Sequence, residues 1–346
     1  MAIGWAFIGT GHYPNSRIAP AAALAEDTEI IACYSRDRAR ADEFAKTHGA
    51  LAAYTSVEDI LGDSRVDVVF VASPNHLHAE HAQLAAKAGK HILTEKPMAT
   101  TVADCVDMIR ACKANNVKLG VGFQLRFHPG HMEASRFVRE GGLGKVALAQ
   151  VLLGSGVRGE TKREMRTGLR EWWETPDMVG NARSMIGTGV HCVDDLEFIL
   201  GQTVVEVAAI SDGQTEEYPL EDLVSLSLRF SGGAIGTMVC GSRMPDSIND
   251  VTVYGSDGRV LLRNAASPTM GGSLEIKSET VNSEVTYEPD ALALAKWQIE
   301  GFNRAIKLDE EPAASGAVGL RSVQITEAMI ESVRTRRTIH VEPIHV

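Results

Sequence analysis

Apolar and polar positions fall into two regimes along the chain. Over the first 125 or so residues, short apolar runs alternate with longer amphipathic segments. AIGWAFIG precedes a helical pattern at 18–25, EIIACYS precedes RDRARADEFAKTHG, and VDVVFVAS precedes HLHAEHAQLAAKAG. HILTE precedes TVADCVDMIRACKANN, and KLGVGF closes the series. Short Val/Ile-rich runs separated by helices predict βαβ units and a parallel sheet. Such a sheet is covered on both faces, which explains the nearly unbroken apolar strands. After Phe127 come KVALAQVLLG, VVEVAAI, LVSLSLRFSGGAIGTMVCG, VTVYGSDGRVLLR and SLEIKSETVNSEVTYE, with few helices between them. Gly232-Gly233 and Asp257-Gly258 are hairpin turn signals. Helices are expected at 190–200, 291–307 and 317–334. The reading is an α/β domain over 1–125 and an α+β domain with a largely antiparallel open sheet over 126–346.

The 346 residues suit two domains with sizeable cores. A net charge of −11 lacks the electrostatic footprint of a nucleic-acid or anionic-membrane binder, although a local basic patch can still hold a phosphate. Five cysteines without a CxxC pair point to a reducing compartment, with no disulfide framework or structural zinc. MAIGWAFIGTG lacks a basic n-region and reads as a first strand, not a signal peptide. No apolar run approaches the ~18 residues that span a bilayer. A cytoplasmic protein without a metal is expected. His76, His78 and His81 invite a metal reading, but no nearby cysteine or second acid set completes a closed site.

GTGHYPNSRIAP lies between the first strand and the first helix. Gly9 lets the backbone turn, and Gly11 lets a pyrophosphate approach main-chain N–H groups; Thr10 and His12 complete the turn. The third glycine of GxGxxG is absent, Pro14 stands at that place, and HYPNS reads as an expansion of the turn. The second strand ends at Ser35-Arg36, where NAD binders usually carry an acid. A hydroxyl with Arg36 and Arg40 suits a 2′-phosphate, so NADP is favoured over NAD, tempered by nearby Asp37. The alternative is that RDRARADE is a solvated helix face, a reading that suits Arg38 equally well. Glu95, Lys96 and Pro97 end the HILT run. Proline stops the strand and biases Lys96 to extended geometry at a carboxyl end, where ligands of open parallel sheets lie. A partly desolvated lysine near an oxidised nicotinamide has a lowered pKa and exchanges a proton with a substrate oxygen. The alternative is a surface ion pair at a strand end.

AFIGTG, ASPNHLH (72–78), TEKPMA (94–99), GFQLRFHP (122–129) and GTGVHCVDDLEFILG (187–201) together resemble the Gfo/Idh/MocA oxidoreductases, named for glucose-fructose oxidoreductase and inositol dehydrogenase. The resemblance covers essentially the whole chain. It implies a Rossmann domain followed by an antiparallel-sheet domain, NADP or NAD as cofactor, and a sugar-like substrate. It also implies a homodimer or homotetramer through the sheet's open face. Lys96 and His191 match the family's catalytic lysine and histidine, and Asp194 its HxxD acid, which orients a substrate hydroxyl or the histidine. Ser73, Pro74, Asn75 and His78 match the nicotinamide-side loop, Glu95 and Gln124 approach the cofactor, and Arg126 matches a cleft position, which would place it with His191 at the substrate. Trp173 falls on a family tryptophan, which would place it at the substrate.

Departures accompany the resemblance. Many members carry an aspartate four residues before the histidine, where this chain has Gly187. The usual upstream glycine run is replaced by NARSM (181–185). GETKREMRTGLREWWET (159–175) is rich in Arg with two Trp, which suits a sugar-binding pocket or, equally, a solvated lid or oligomer contact. The leading expectation is an NAD(P)-dependent oxidoreductase of a sugar, anhydrosugar or polyol, acting on CH–OH groups. The alternatives are a nicotinamide-dependent glycoside hydrolase and a nucleotide-sensing regulator without chemistry.

Overall fold

The computed structural model describes residues 2–160, 164–344 and 346. Residues 161–163 of the Arg-rich segment lie outside the described residues. In chain order the structure has β1 (Ile3–Ile8), a π-helical turn (Pro14–Ile18) running into α1 (Ala19–Leu24), β2 (Thr28–Tyr34), α2 (Arg38–His48), β3 (Ala52–Tyr54), α3 (Val57–Gly62), β4 (Val68–Val71), α4 (His78–Lys87), β5 (His91–Thr94), α5 (Val102–Ala114) and β6 (Leu119–Val121). Then come α6 (Pro129–Arg139), β7 (Val146–Gly154), α7 (Pro176–Val179), a second π-helical turn (Met185–Gly189) and α8 (Val190–Leu200). They are followed by β8 (Val204–Ser211), β9 (Leu223–Phe230), β10 (Ile235–Gly241), β11 (Val251–Gly255), β12 (Gly258–Arg263), β13 (Ser273–Ser278) and β14 (Asn282–Thr286). α9 (Ala293–Lys307), α10 (Gly316–Thr335) and β15 (Ile339–His340) close the chain.

The first compact unit holds the chain up to Gln124 together with 291–320. Its six described strands are parallel in the order β3-β2-β1-β4-β5-β6. The order reverses between β1 and β4, the switch point at which open sheets bind ligands. Trp5, Phe7 and Phe70 are fully buried, each contributing about 1.5–3 kcal/mol by leaving water. Phe7 packs at 5.5 Å on Phe44 of α2 and 5.9 Å on Phe70 of β4. α9, expected within 126–346, packs in this unit. Phe302 meets Trp5 edge-on at 6.0 Å, and the Trp5 indole N–H donates to Asn303 Oδ1 at 3.0 Å. That hydrogen bond meets the need of a buried indole for a partner.

The second unit spans Leu125–Asp290 and the chain from Arg321 on. Its nine described strands run in the order β14-β13-β12-β11-β7-β10-β9-β8-β15. Neighbours are antiparallel except β7 and β10, which pair in parallel. β9 shows why the sequence folds this way: Val224, Leu226, Leu228 and Phe230 are buried while Ser225, Ser227 and Arg229 are exposed, the period of two of a sheet covered on one side. Gly233, at φ +89, makes the β9–β10 turn.

Several elements escaped the sequence pattern, α3, α7 and β15 among them; β3 and α6 show why. β3 has three residues, too few to leave an alternation. α6 begins with Pro-Gly, which reads as a break. Yet Pro129 sits at a first-turn position, where a missing N–H costs nothing, and His128 caps the helix by accepting the Gly130 N–H. No helix among the described residues is long and apolar enough to cross a membrane.

Candidate functional site

In the first unit the site is built on strand ends. Gly9 leaves β1 with φ +115, and a Cβ there would lie 2.5 Å from the Ala72 carbonyl oxygen, so only glycine fits. At Gly11 a Cβ would meet nothing within 4 Å, so the backbone faces open space. The chain then turns helical at His12, not at Ile18 as expected. HYPNS is therefore not an expanded loop. It opens the helix and leads into the π turn, closed by the Ala19 N–H on the Pro14 carbonyl. Proline is tolerated there because first-turn N–H groups have no intrahelical acceptor. No side chain caps this end. A sharp glycine turn, an open face at Gly11 and an uncapped helix N-terminus fit a dinucleotide's pyrophosphate.

Ser35, just after β2, is buried, and its Oγ accepts the Asp37 N–H at 3.3 Å. Asp37 caps α2 by accepting the Arg40 N–H at 3.3 Å. The nearby acid is thus committed to the helix. The Arg40 guanidinium reaches back to Thr10 Oγ1 at 3.4 Å, and Arg36 is exposed.

The loop after β4 carries Ser73, Pro74 and Asn75. His78, only 1% exposed, places Nδ1 2.8 Å from the Pro97 carbonyl and Nε2 2.8 Å from the Ser73 carbonyl. Burial pushes this imidazole down to about 4. His81 hydrogen-bonds Ser73 Oγ at 2.9 Å. Both rings are used to tie loops, and no metal-type group of three or more His, Cys, Asp or Glu exists among the described residues.

The last rung between β4 and β5 is Glu95 N–H to the Val71 carbonyl, 2.8 Å. Lys96 follows at the strand end, joined to Pro97 by a cis peptide. Its N–H donates to Glu95 Oε2 at 3.3 Å. Burial raises the Glu95 carboxyl to about 7, opposed by the charge of Lys96. A Cβ on Gly122 would lie 3.1 Å from Glu95 Oε1, so that glycine leaves room for the acid. Gln124 is buried nearby in sequence. Tyr13 was not foreseen. Burial raises its phenol well above the usual range, and the Glu95 charge adds to the rise. Its only sequence signal was an aromatic inside what read as a loop.

In the second unit, α8 carries the candidate residues His191 and Asp194. The π turn before it is closed by the Val190 N–H on the Met185 carbonyl, and such turns gather at functional sites. NARSM leads into it. The fully buried Glu221 carboxylate accepts the N–H groups of Arg183 and Met185 at 3.0 and 2.8 Å, satisfying donors at a helix start. The Arg183 side chain bridges Glu174 and Asp222.

His191 lies in the first turn of α8, half-buried. Asp194, three residues on and 4% exposed, is gripped by Arg126. Nε donates to both carboxylate oxygens at 3.0 Å, and Nη2 to Oδ1 at 2.8 Å. Burial raises Asp194 to about 6, against the pull of Arg126. Asp195 turns to His131 instead: Oδ1 lies 2.6 Å from Nδ1, with both side chains buried. His131 Nε2 faces the Ala265 carbonyl at 3.2 Å. Asp195 was not anticipated, although the Asp-Asp doublet on an otherwise apolar helix was its signal. Trp173 carries the Arg166 guanidinium 4.3 Å from its ring centroid, and Trp172 lies 4.7 Å away.

A glycine turn feeding an uncapped helix at the switch point of a parallel sheet is the anatomy of a dinucleotide-binding Rossmann unit. Residues 3–123 match the oxidoreductase family with an NAD-binding Rossmann fold, and residues 131–261 match the GFO/IDH/MocA C-terminal domain. The chain belongs to the Gfo/Idh/MocA family and is an NAD(P)-dependent oxidoreductase. It is 27% identical over 341 residues to a 1,5-anhydro-D-fructose reductase of Ensifer adhaerens, covering 98% of each chain. It is 26% identical over 335 residues to a D-xylose 1-dehydrogenase (NADP(+)) of Haloferax volcanii, covering 97% of this chain and 98% of that one. The aldose-aldose oxidoreductase of Caulobacter crescentus, solved with glycerol, superposes with TM-score 0.85 at 28% identity, over 98% of this chain and 100% of that one.

Proposed function

We propose that the protein catalyses reversible hydride transfer between a nicotinamide and a hydroxyl- or carbonyl-bearing carbon of a sugar, anhydrosugar or polyol. The observation that carries this reading is Lys96 standing at the end of β5 in the same sheet whose β1 end bears the Gly9–Gly11 turn. Relatives of nearly equal length named for anhydrofructose and xylose support the substrate class.

The cofactor, when bound, supplies or accepts the hydride. Gly9, Thr10, Gly11 and the helix start at His12 receive its pyrophosphate. Ser35, Arg36 and Arg40 receive a 2′-phosphate, which favours NADP. Ser73, Pro74, Asn75, Glu95 and Gln124 line the nicotinamide side, and His78 braces that loop. In oxidation, neutral Lys96 or His191 takes the hydroxyl proton; in reduction, the protonated partner donates to the developing alkoxide and stabilises its charge. Asp194 orients this chemistry. Trp173 belongs to the substrate side with its ring held by Arg166 and Trp172. The open face of the nine-stranded sheet serves as a homodimer or homotetramer interface. All five cysteines are buried thiols, which suits the reducing cytoplasm.

Absorbance at 340 nm tests the proposal. Protein is mixed with NADP⁺ or NAD⁺ and a panel of pyranoses, anhydrosugars and polyols, or with NADPH and the matching keto sugars. Turnover is expected with at least one pair, abolished in Lys96→Ala with cofactor binding retained. Glycoside cleavage without net change at 340 nm would replace this reading with the hydrolase one, and cofactor binding with neither activity would replace it with the regulator.

A further inference from the structure

We infer that Arg126 is a positioning residue that acts through Asp194, and not a ligand of the substrate: its guanidinium grips both oxygens of that buried carboxylate and fixes its place and its charge. The inference rests on the proposed role of Asp194. Three donor contacts of 2.8–3.0 Å run from Nε and Nη2 to the two oxygens. This is the fork geometry that lysine cannot reproduce. The guanidinium carbon also lies 5.1 Å from the Phe198 ring centroid. Phe198 stands four residues after Asp194, on the same face of α8. One helix therefore presents both the carboxylate and the ring that seat Arg126.

The charged surroundings of Asp194 make this grip matter. On its own helix Asp195 and Glu197 both push its proton affinity up, as burial does. α6 brings His131, which is engaged by Asp195. α10 brings Arg321, 3.3 Å from Glu197. β7 and the Met185–Gly189 turn carry no charged side chain. His191 stands one turn before Asp194 on the same helix, and Arg126 is the cation whose contact and charge work against the two neighbouring acids and the loss of water. Without it the carboxyl gains a proton at higher pH.

The test follows Asp194 directly. Carboxyl ¹³C resonances of aspartate-labelled protein are titrated, and the Asp194 signal is assigned by its loss in Asp194→Asn. The wild-type midpoint is expected near 6; Arg126→Gln is expected to raise it by at least one pH unit, and Arg126→Lys by less. Kinetics use D-xylose with NADP⁺ or 1,5-anhydro-D-fructose with NADPH. In Arg126→Gln, kcat falls about 10–100-fold, as displacement of a catalytic group does. KM stays within threefold, the acid limb of kcat moves with the NMR midpoint, and adding Arg126→Gln to Asp194→Asn costs no more than twofold further. An unmoved midpoint, or a tenfold rise in KM with kcat unchanged, overturns the inference and makes Arg126 a substrate ligand. Full turnover in Asp194→Asn instead removes the role of Asp194 on which the inference rests. If Arg126→Gln does not fold, the same midpoint comparison on Arg126→Lys decides.

Discussion

Gly187 lies against the indole of Trp173: a Cβ built on the glycine would sit 3.5 Å from Cζ3 and 3.8 Å from Cη2 of the ring. The ring edge stands over Gly187, one helical turn before His191, where the family resemblance leads one to expect an aspartate. The indole itself is held by Arg166 and Trp172. A Cβ at 3.5 Å is ordinary contact, whereas a carboxylate would press against an aromatic edge. Gly187→Ala is expected to stabilise the protein by about 0.4–1 kcal/mol by restricting the unfolded chain. Gly187→Asp is expected to cost about 1–3 kcal/mol through burial of a poorly solvated polar group. Urea unfolding checks both. A Gly187→Asp protein as stable as the wild type would mean that Trp173 does not occupy that space.

His131 and Asp195 form a buried pair whose loss has a defined price in stability. Asp195 Oδ2 has no partner among the described residues, so His131 is the contact that compensates its burial. Removing one partner of a buried pair leaves an uncompensated charge, at about 3–5 kcal/mol. His131→Ala should lower the urea midpoint by that amount at neutral pH. A loss below about 1 kcal/mol would place this pair in solvent contact.

Glu95 gives stability a pH slope. Its folded-state pKa, about 7, is raised by burial above the ordinary value of 4.5. Between those values the folded state holds more protons than the unfolded state. Stability therefore falls as pH rises from about 4.5 to about 7. Glu95→Gln removes this contribution. Relative to wild type, the variant should gain about 1–3 kcal/mol between pH 5 and pH 8, read from urea unfolding at both. Parallel profiles for the two proteins would show that Glu95 is ionised in the folded state throughout.

The Ser35-Arg36-Arg40 cluster predicts cofactor selectivity. Asp37 caps α2 through the Arg40 N–H. Arg36→Ala or Arg40→Ala should raise the Kd for NADP⁺ about 10–100-fold, the worth of a hydrogen bond to a charged group, and leave that for NAD⁺ within threefold. Isothermal calorimetry with both cofactors measures this. Equal loss for the two would assign the arginines to the pyrophosphate.

Much of the fold was legible because its signals are local. Unbroken apolar runs such as VDVVFVAS and the period of two in LVSLSLRF state how many faces of each strand are buried. The EKP strand end and the His191–Asp194 spacing marked the candidate chemistry in the same way. HYPNS misled because proline and asparagine read as a turn, whereas the first turn of a helix tolerates both. β3 was too short to show a period.

The sequence by itself determined the alternation that makes a parallel sheet, the glycines that a tight turn demands, and the residue types at each strand end, since these follow from backbone sterics and side-chain periodicity. Tertiary structure alone decided which polar groups meet: Arg126 with Asp194 across 68 residues, His131 with Asp195 across 64, and His78 with Pro97 across 19. It also set the direction in which Glu95 and Asp194 shift, because a carboxyl's proton affinity depends on the water and charges that folding removes or brings near, and no stretch of sequence carries that information.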